Sequence, residues 1–367
     1  MTASWSAGTV VLPDRVLSPG TVVVDGGRIT SVHSGVRFGD TDFGPDVVVA
    51  PGAIDLHSDA VEKLAEPRPG VRLPFPVAVR ALDRRLAGAG VTTAFAALSL
   101  AGDEIGLRER RATESLACEL RSLAEPHVDH RLHLRVEITD DDSVGAAEEL
   151  LAVGVVNLLS VMNHTPGQGQ FTSIDSYVSF YSRNYAMSEP DLHARIGVKL
   201  AAAPHLDTRL ARLAYAADRA GVPLAWHDPD SAGTIARACS YGATIAEFPT
   251  TAAAAYAAAP AGLAVAMGAP NLLLRRSTSG NLSATDALAA GALDLLVSDY
   301  YPEAMWPAAL GSGLPLPQAV RLVTGAPAAA AGLTDRGALA AGHRADLVAL
   351  RADGSVVRVM VAGRVVA

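Results

Sequence analysis

Eight short apolar runs recur along the middle of the chain, at 53–57, 92–98, 131–138, 155–162, 223–227, 244–248, 263–268 and 293–298. Helical stretches lie between them: 105–124 sets Leu107, Leu116, Leu120 and Leu123 among Glu and Arg, and 208–220 repeats Leu and Ala at helical spacing behind a possible cap, Asp207. A last helix is expected over 317–331. Strand and helix alternating eight times predict an α/β fold, a parallel (β/α)8 TIM-like barrel. Both chain ends instead carry short β-branched runs and turns, including Asp25-Gly26-Gly27 before Arg28, which reads as a hairpin. A small β-sandwich domain built from 1–50 and 336–367, beside a barrel of 51–335, is the expected organisation.

Composition narrows the function. Half of the 367 residues are hydrophobic and the net charge is -8, which opposes nucleic-acid binding and attachment to an anionic membrane. Lysine occurs twice, at Lys63 and Lys199, against 28 arginines, so each lysine is conspicuous. Cys118 and Cys239 show no paired spacing and read as reduced thiols. The first residues lack a signal-like basic and apolar pattern, so a cytoplasmic location is expected. The uncharged stretch 248–274 is long enough to span a bilayer, but its prolines, glycines and alanines predict an Ala-rich helix followed by a buried strand over 263–268.

A barrel places the C-terminal ends of its strands on one functional face. Those ends carry His57 and Asp59, Glu137, Asn163 and His164, His227 and Asp228, Glu247, and Asp299. Any one of them could be a structural residue or a helix cap. Six strand ends of metal-ligand type point together to a metal site, and mixed imidazole and carboxylate donors suit Zn, Mn or Fe better than Ca or Mg. The metal ligands expected are His57, Asp59, Glu137, His164, His227 and Asp299. So many carboxylates suit two divalent ions with a bridging anion. Glu137 is the expected bridge, on the same strand face as His133 and Arg135; a carbamylated Lys199 is its rival.

Pro51-Gly-Ala-Ile-Asp-Leu-His-Ser-Asp59, Ser298-Asp-Tyr-Tyr-Pro302 and Gly342-His-Arg-Ala-Asp-Leu-Val348 resemble the amidohydrolase superfamily. His57-Ser-Asp-Ala-Val-Glu-Lys63, His130-Arg-Leu-His-Leu-Arg-Val-Glu137, His164-Thr-Pro-Gly-Gln168, Ala246-Glu-Phe-Pro-Thr-Thr251, Met267-Gly-Ala-Pro-Asn271 and Ser279-Gly-Asn281 resemble, more narrowly, its phosphonate-degrading diphosphatases. His-x-Asp departs from the superfamily's usual His-x-His. The resemblance implies a metal-dependent hydrolase that cleaves a ribose 1-(alkylphosphonate) 5-triphosphate to the 5-phosphate and pyrophosphate, with water attacking phosphorus. It implies a small phosphorylated ribose as the binding partner and a homo-oligomer, a dimer, as the assembly. Asp299 is the expected proton acceptor, with Glu137 beside it, and Lys63, Arg68, Arg275 and Arg276 are the expected phosphate cations. Ser279, Asn281, Glu247 and Tyr300 complete the expected substrate contacts.

Two loops depart from the resemblance. Leu274-Arg-Arg-Ser-Thr278 replaces an expected Arg-Gly-Gly-Ser-His, and Gln168-Gly169-Gln170 lacks a central Arg. The segment 168–199 between strands, rich in Phe and Tyr, reads as a lid or as a packed helical insertion. The competing enzymatic reading is an amide or cyclic-amide hydrolase of deacetylase or deaminase type; the non-enzymatic one is a metal-free assembly subunit.

Overall fold

The structure is a computed structural model that describes residues 2–36, 41–68, 70–102, 107–185, 187–277 and 280–367, without the side chains of Asn184 and Tyr185. Eight parallel strands form one sheet: β1 (Ala53–Ser58), β2 (Val91–Leu100), β3 (Asp129–Glu137), β4 (Leu158–Met162), β5 (Leu224–His227), β6 (Ile245–Glu247), β7 (Ala264–Gly268) and β8 (Leu295–Val297). Each pairs with its successor, and a parallel bridge from Ser58 to Asp299 draws the last strand back to the first. The eight apolar runs therefore form the barrel that their number predicted.

Alternation along these strands separates two cores. In β3, Leu132, Leu134 and Val136 join the large core packed against the surrounding helices, whereas His133, Arg135 and Glu137 point inward and are almost fully buried. Ile54, Leu56, Phe95, Leu158, Ile245 and Leu295 fill the barrel's apolar interior. The polar groups are thus gathered above that plug, at the C-terminal mouth.

Between β1 and β5 the chain forms the helices α1 (Ala60–Ala65), α2 (Phe75–Gly88), α3 (Arg110–Ser122), α4 (Asp141–Ala152), α5 (Ile174–Tyr185), α6 (Glu189–Ala201) and α7 (Leu206–Ala220). Asp140 caps α4 and Ser188 caps α6 by accepting from the backbone N–H of Asp142 and Asp191. The helix expected over 105–124 begins at Arg110, and residues 105–106 of that stretch lie outside those described. Asp207 sits inside the first turn of α7 and not at its cap, accepting instead from Arg237 and Tyr241.

The expected helix over 317–331 is two helices, Leu316–Arg321 and Gly325–Ala330. The break has a cause: the carbonyls of Leu322 and Val323 accept from Leu296 of β8 and Ile54 of β1, a bonding that a continuous helix would forbid. Residues 248–274 fold as the helix Ala252–Ala258 and strand β7, and no described helix is long and apolar enough to cross a membrane.

The chain ends form two further sheets, of four and six strands. Val48–Pro51 pairs antiparallel with Leu347–Leu350, joining the two ends directly. Gly26 and Gly27 both take positive φ, 56° and 80°, as a tight hairpin between Gly20–Asp25 and Arg28–Ser34 requires.

Gly52 is the crossing from this sheet into β1. A Cβ there would lie 2.1 Å from Thr92 Cγ2 and 2.3 Å from its Oγ1, on a wholly buried side chain. Gly52→Ala is expected to cost about 2 kcal/mol through overpacking, read as a lower urea midpoint with an unchanged slope.

Candidate metal centre

The site is built around Glu247, the last residue of β6, which is 2% exposed. Its Oε1 accepts from His57 Nδ1 at 2.7 Å, and its Oε2 from His227 Nδ1 at 2.7 Å and from Ser160 Oγ at 2.9 Å. A carboxylate beneath two imidazoles fixes their tautomers and turns both Nε2 atoms to the mouth. There His57 Nε2 stands 3.3 Å from Asp59 Oδ1, and His227 Nε2 3.5 Å from Asp228 Oδ2. Donor atoms of His57, Asp59 and Asp299 lie within 4.8 Å of one another, and so do those of His164, His227 and Asp228. Each group mixes nitrogen and carboxylate oxygen, as a Zn-, Mn- or Fe-type cation requires.

Backbone conformation aims two of the carboxylates. Asp228, the residue after β5, and Asp299, two residues beyond β8, have φ of 51° and 56°, a left-handed conformation that is costly for a non-glycine residue. Asp299 N–H donates to the His57 carbonyl at 2.9 Å, and Asp59 N–H to the Asp299 carbonyl at 2.7 Å. The closure of the barrel and the geometry of this ligand group are therefore one set of bonds.

The charges are tightly balanced. Burial opposes a charged His57, but Glu247 and Asp59 outweigh it and raise the imidazole to about 10. Burial, reinforced by Asp59, raises Asp299 to about 7. Burial also opposes ionisation of Asp59, yet Arg135 and His57 hold it well below the usual carboxylate range. A third group, His57, His133 and Glu247, is deeper: His133 Nδ1 donates to the Leu56 carbonyl, and its other nitrogen lies 2.7 Å from Ser160 Oγ, whose one proton goes to Glu247. Burial keeps His133 neutral, with its pKa lowered to about 3.

A cavity of 240 Å³ opens over the two ligand groups, lined by His57, Asp59, His164, His227, Asp228 and Asp299 together with Arg108, Arg135, Asn281 and the aromatic rings of Phe171, Phe180 and Tyr181. A larger groove of 1210 Å³ lies at the opposite end of the barrel, but its wall is mostly Ala and Gly and holds no cluster of imidazole and carboxylate donors. The chemistry is at the smaller cavity.

The Amidohydrolase family model matches residues 308–367. Over 352 residues the chain is 34% identical to the α-D-ribose 1-methylphosphonate 5-triphosphate diphosphatase of Escherichia coli (strain K12), covering 92% of each. The chain belongs to the amidohydrolase family. Its fold also matches N-acetyl-D-glucosamine-6-phosphate deacetylase from Mycobacterium smegmatis, with a TM-score of 0.67, 20% identity and full coverage of both chains. A Xaa-Pro dipeptidase with bound methionine matches with a TM-score of 0.66 and 15% identity, again over both full lengths.

Within this amidohydrolase the structure gathers some of the residues singled out in the sequence and not others. His57, Asp59, His164, His227 and Asp299 converge, and Asn281 joins them at the wall. Lys63, Arg68, Arg275, Arg276 and Tyr300 are exposed and do not line the cavity; its arginines are Arg108 and Arg135. Arg275 has a φ of 54°, which explains why the resemblance expects glycine there. Ser279 lies outside the described residues. Glu247, expected as a substrate contact, lies beneath His57 and His227, and each of its oxygens accepts from one of them.

Glu137, the expected bridge, is wholly buried and does not line the cavity: Oε1 accepts from Thr139 Oγ1 at 2.7 Å, and Oε2 meets His164 Nδ1 at 2.9 Å. Lys199, the rival bridge, lies on the helix α6 with its Nζ 3.4 Å from the same Oε2. The segment 168–199 is a helical insertion with its own core of Phe171, Tyr177, Tyr181, Leu192 and Ile196, and it covers one side of the cavity.

Two outcomes follow from these charges. Lys199→Met leaves Glu137 as a buried charge and is expected to cost about 3 kcal/mol in urea unfolding, most of it recovered when Glu137→Gln is added. Zinc binding at pH 7 is expected to release protons, because His57 is charged there and Asp299 is near its midpoint. Lowering pH from 8 to 6 fills Asp299 with a proton and weakens zinc binding; titration calorimetry in buffers of different ionisation enthalpy measures both.

Proposed function

We propose that this chain is a cytoplasmic metal-dependent diphosphatase of phosphonate breakdown, acting on a ribose 1-(alkylphosphonate) 5-triphosphate to give the 5-phosphate and pyrophosphate. The observation that carries the reading is the 34% identity to such a diphosphatase across 92% of both chains, joined to two His–carboxylate groups that share one cavity. His57, Asp59 and Asp299 would hold one divalent cation and His164, His227 and Asp228 a second. Bound there, such cations supply Lewis acidity toward a phosphoryl oxygen and make water easier to deprotonate.

The protein's own groups do the rest. Asp299, in the cavity wall beside His57 and Asp59, accepts the proton of the attacking water. Glu247 keeps both imidazoles in one tautomer, and Glu137, braced by Lys199, does the same for His164. Arg108 and Arg135 set positive charge in the wall against the phosphates, and Phe171, Phe180 and Tyr181 exclude water from the sugar side. A new P–O bond forms to water as the phosphoanhydride breaks, and pyrophosphate departs.

Phosphorus NMR of the zinc- or manganese-loaded protein with ribose 5-triphosphates bearing different 1-substituents tests the proposal. Pyrophosphate is expected, fastest with a 1-alkylphosphonate; orthophosphate alone, no turnover, or deacetylation of an N-acetyl sugar phosphate instead would overturn it. Asp299→Asn is expected to lower kcat about 10³-fold, with bound metal measured alongside. Turnover is expected to fall further than bound metal does; a loss of metal that accounts for the whole loss of turnover would leave Asp299 a ligand only, without the proton-acceptor role.

A further inference from the structure

Arg135 faces the cavity, yet its hydrogen bonds go to two of the metal-ligand candidates, Asp59 and His227. It lies on β3, 5% exposed, in the cavity wall. Its Nη1 donates to Asp59 at 3.3 Å and 3.5 Å, its Nη2 stands 3.0 Å from His227 Nε2, and its buried Nε has no hydrogen-bond partner.

The contact with His227 has one chemical meaning. The Glu247 carboxylate only accepts, so His227 Nδ1 carries the proton; a guanidinium only donates, so Nε2 is the acceptor. The lone pair that Arg135 occupies is the one by which His227 would bind a metal ion. Asp59, the other partner of Arg135, belongs to the adjacent ligand group. The guanidinium thus spans both groups and neutralises the donors that a cation would take.

The cavity also has a charge problem. Asp59, Asp228 and Asp299 line it beside His57, Arg108 and Arg135 among the described residues, which leaves no surplus of positive charge for a triphosphate. A guanidinium fork released from His227 offers two parallel donors suited to a phosphoryl oxygen pair.

Resting on the diphosphatase reading, we propose that Arg135 is an exchange residue: it holds His227 Nε2 and Asp59 while the site is without metal, and binds phosphoryl oxygens once a cation takes those ligands. Metal loading and phosphate recognition are thereby coupled through one side chain.

Equilibrium dialysis with zinc alone, on the metal-free full chain, tests the first half. Arg135→Met is expected to bind zinc about tenfold more tightly than wild type, because it no longer contests the lone pair. Equal or weaker zinc affinity would overturn the exchange. Pyrophosphate binding to the zinc-loaded proteins, by calorimetry, tests the second half. The Met variant is expected to lose at least about tenfold in affinity, and an unchanged affinity would overturn the phosphoryl contact. Arg135→Lys keeps the charge but is too short to span Asp59 and His227; it is expected to gain zinc affinity while keeping part of the pyrophosphate affinity, and it serves if the Met variant does not fold. Should loaded wild type bind no pyrophosphate at all, the diphosphatase reading falls, and the zinc comparison still decides the exchange.

Discussion

One buried carboxylate determines the shape of this site. Glu247 accepts from His57 and His227, which lie 190 and 20 residues away in sequence, and only a closed run of parallel strands brings the three together. A charge removed from water is tolerable where donors surround it, and here His57, His227 and Ser160 supply donors to both oxygens. The same bonds fix which imidazole nitrogens face the cavity. Barrel closure then sets the remaining ligands, since the Asp299 and Asp59 amides carry the link between the last strand and the first.

Much of this was legible in residue order. The strands announce themselves as apolar runs, and their polar ends converge because a parallel barrel sends all its C-termini to one face. The depth of each residue was harder to read. Glu247 and Glu137 each end a strand, but as inward-facing members of the alternation they lie below the mouth, behind the histidines. Asp228 and Asp299 stand just beyond the last paired residues, where the period of two no longer holds and a left-handed turn decides direction. No pattern in the side chains reports that turn.

The cations that line the cavity are not the ones the sequence brings forward, for a related reason. Lys63 lies on the short helix α1 just beyond β1, and Arg68 and Arg275–Arg276 in turns, where a charge reads as available to a ligand. Arg135 lies mid-strand, where charge in an open sheet usually means solvent. Inside a barrel the alternate face is the interior, so the strand arginine is the one that meets the site. Lys199 is concealed differently: it belongs to a helix between β4 and β5, and only the packing of that insertion over the mouth delivers its ammonium to Glu137.

Taken together, each deep anion of the centre already has a protein cation: Glu247 has His57, Asp59 has Arg135 and Glu137 has Lys199. Such pairing lets the barrel fold with its carboxylates ionised before any metal arrives, because an unpaired buried charge would cost several kcal/mol, about a third or more of a typical domain's stability. It also ranks the pairs. Lys199 and Glu137 are both inaccessible and belong to the scaffold, whereas His57 and Arg135 face donors that open into the cavity. Only the second kind of pair can be exchanged without unpacking a helix. The site is therefore arranged as a fixed outer ring of charge around a replaceable inner one, and the replaceable positions are those that a cation and an anionic substrate would share.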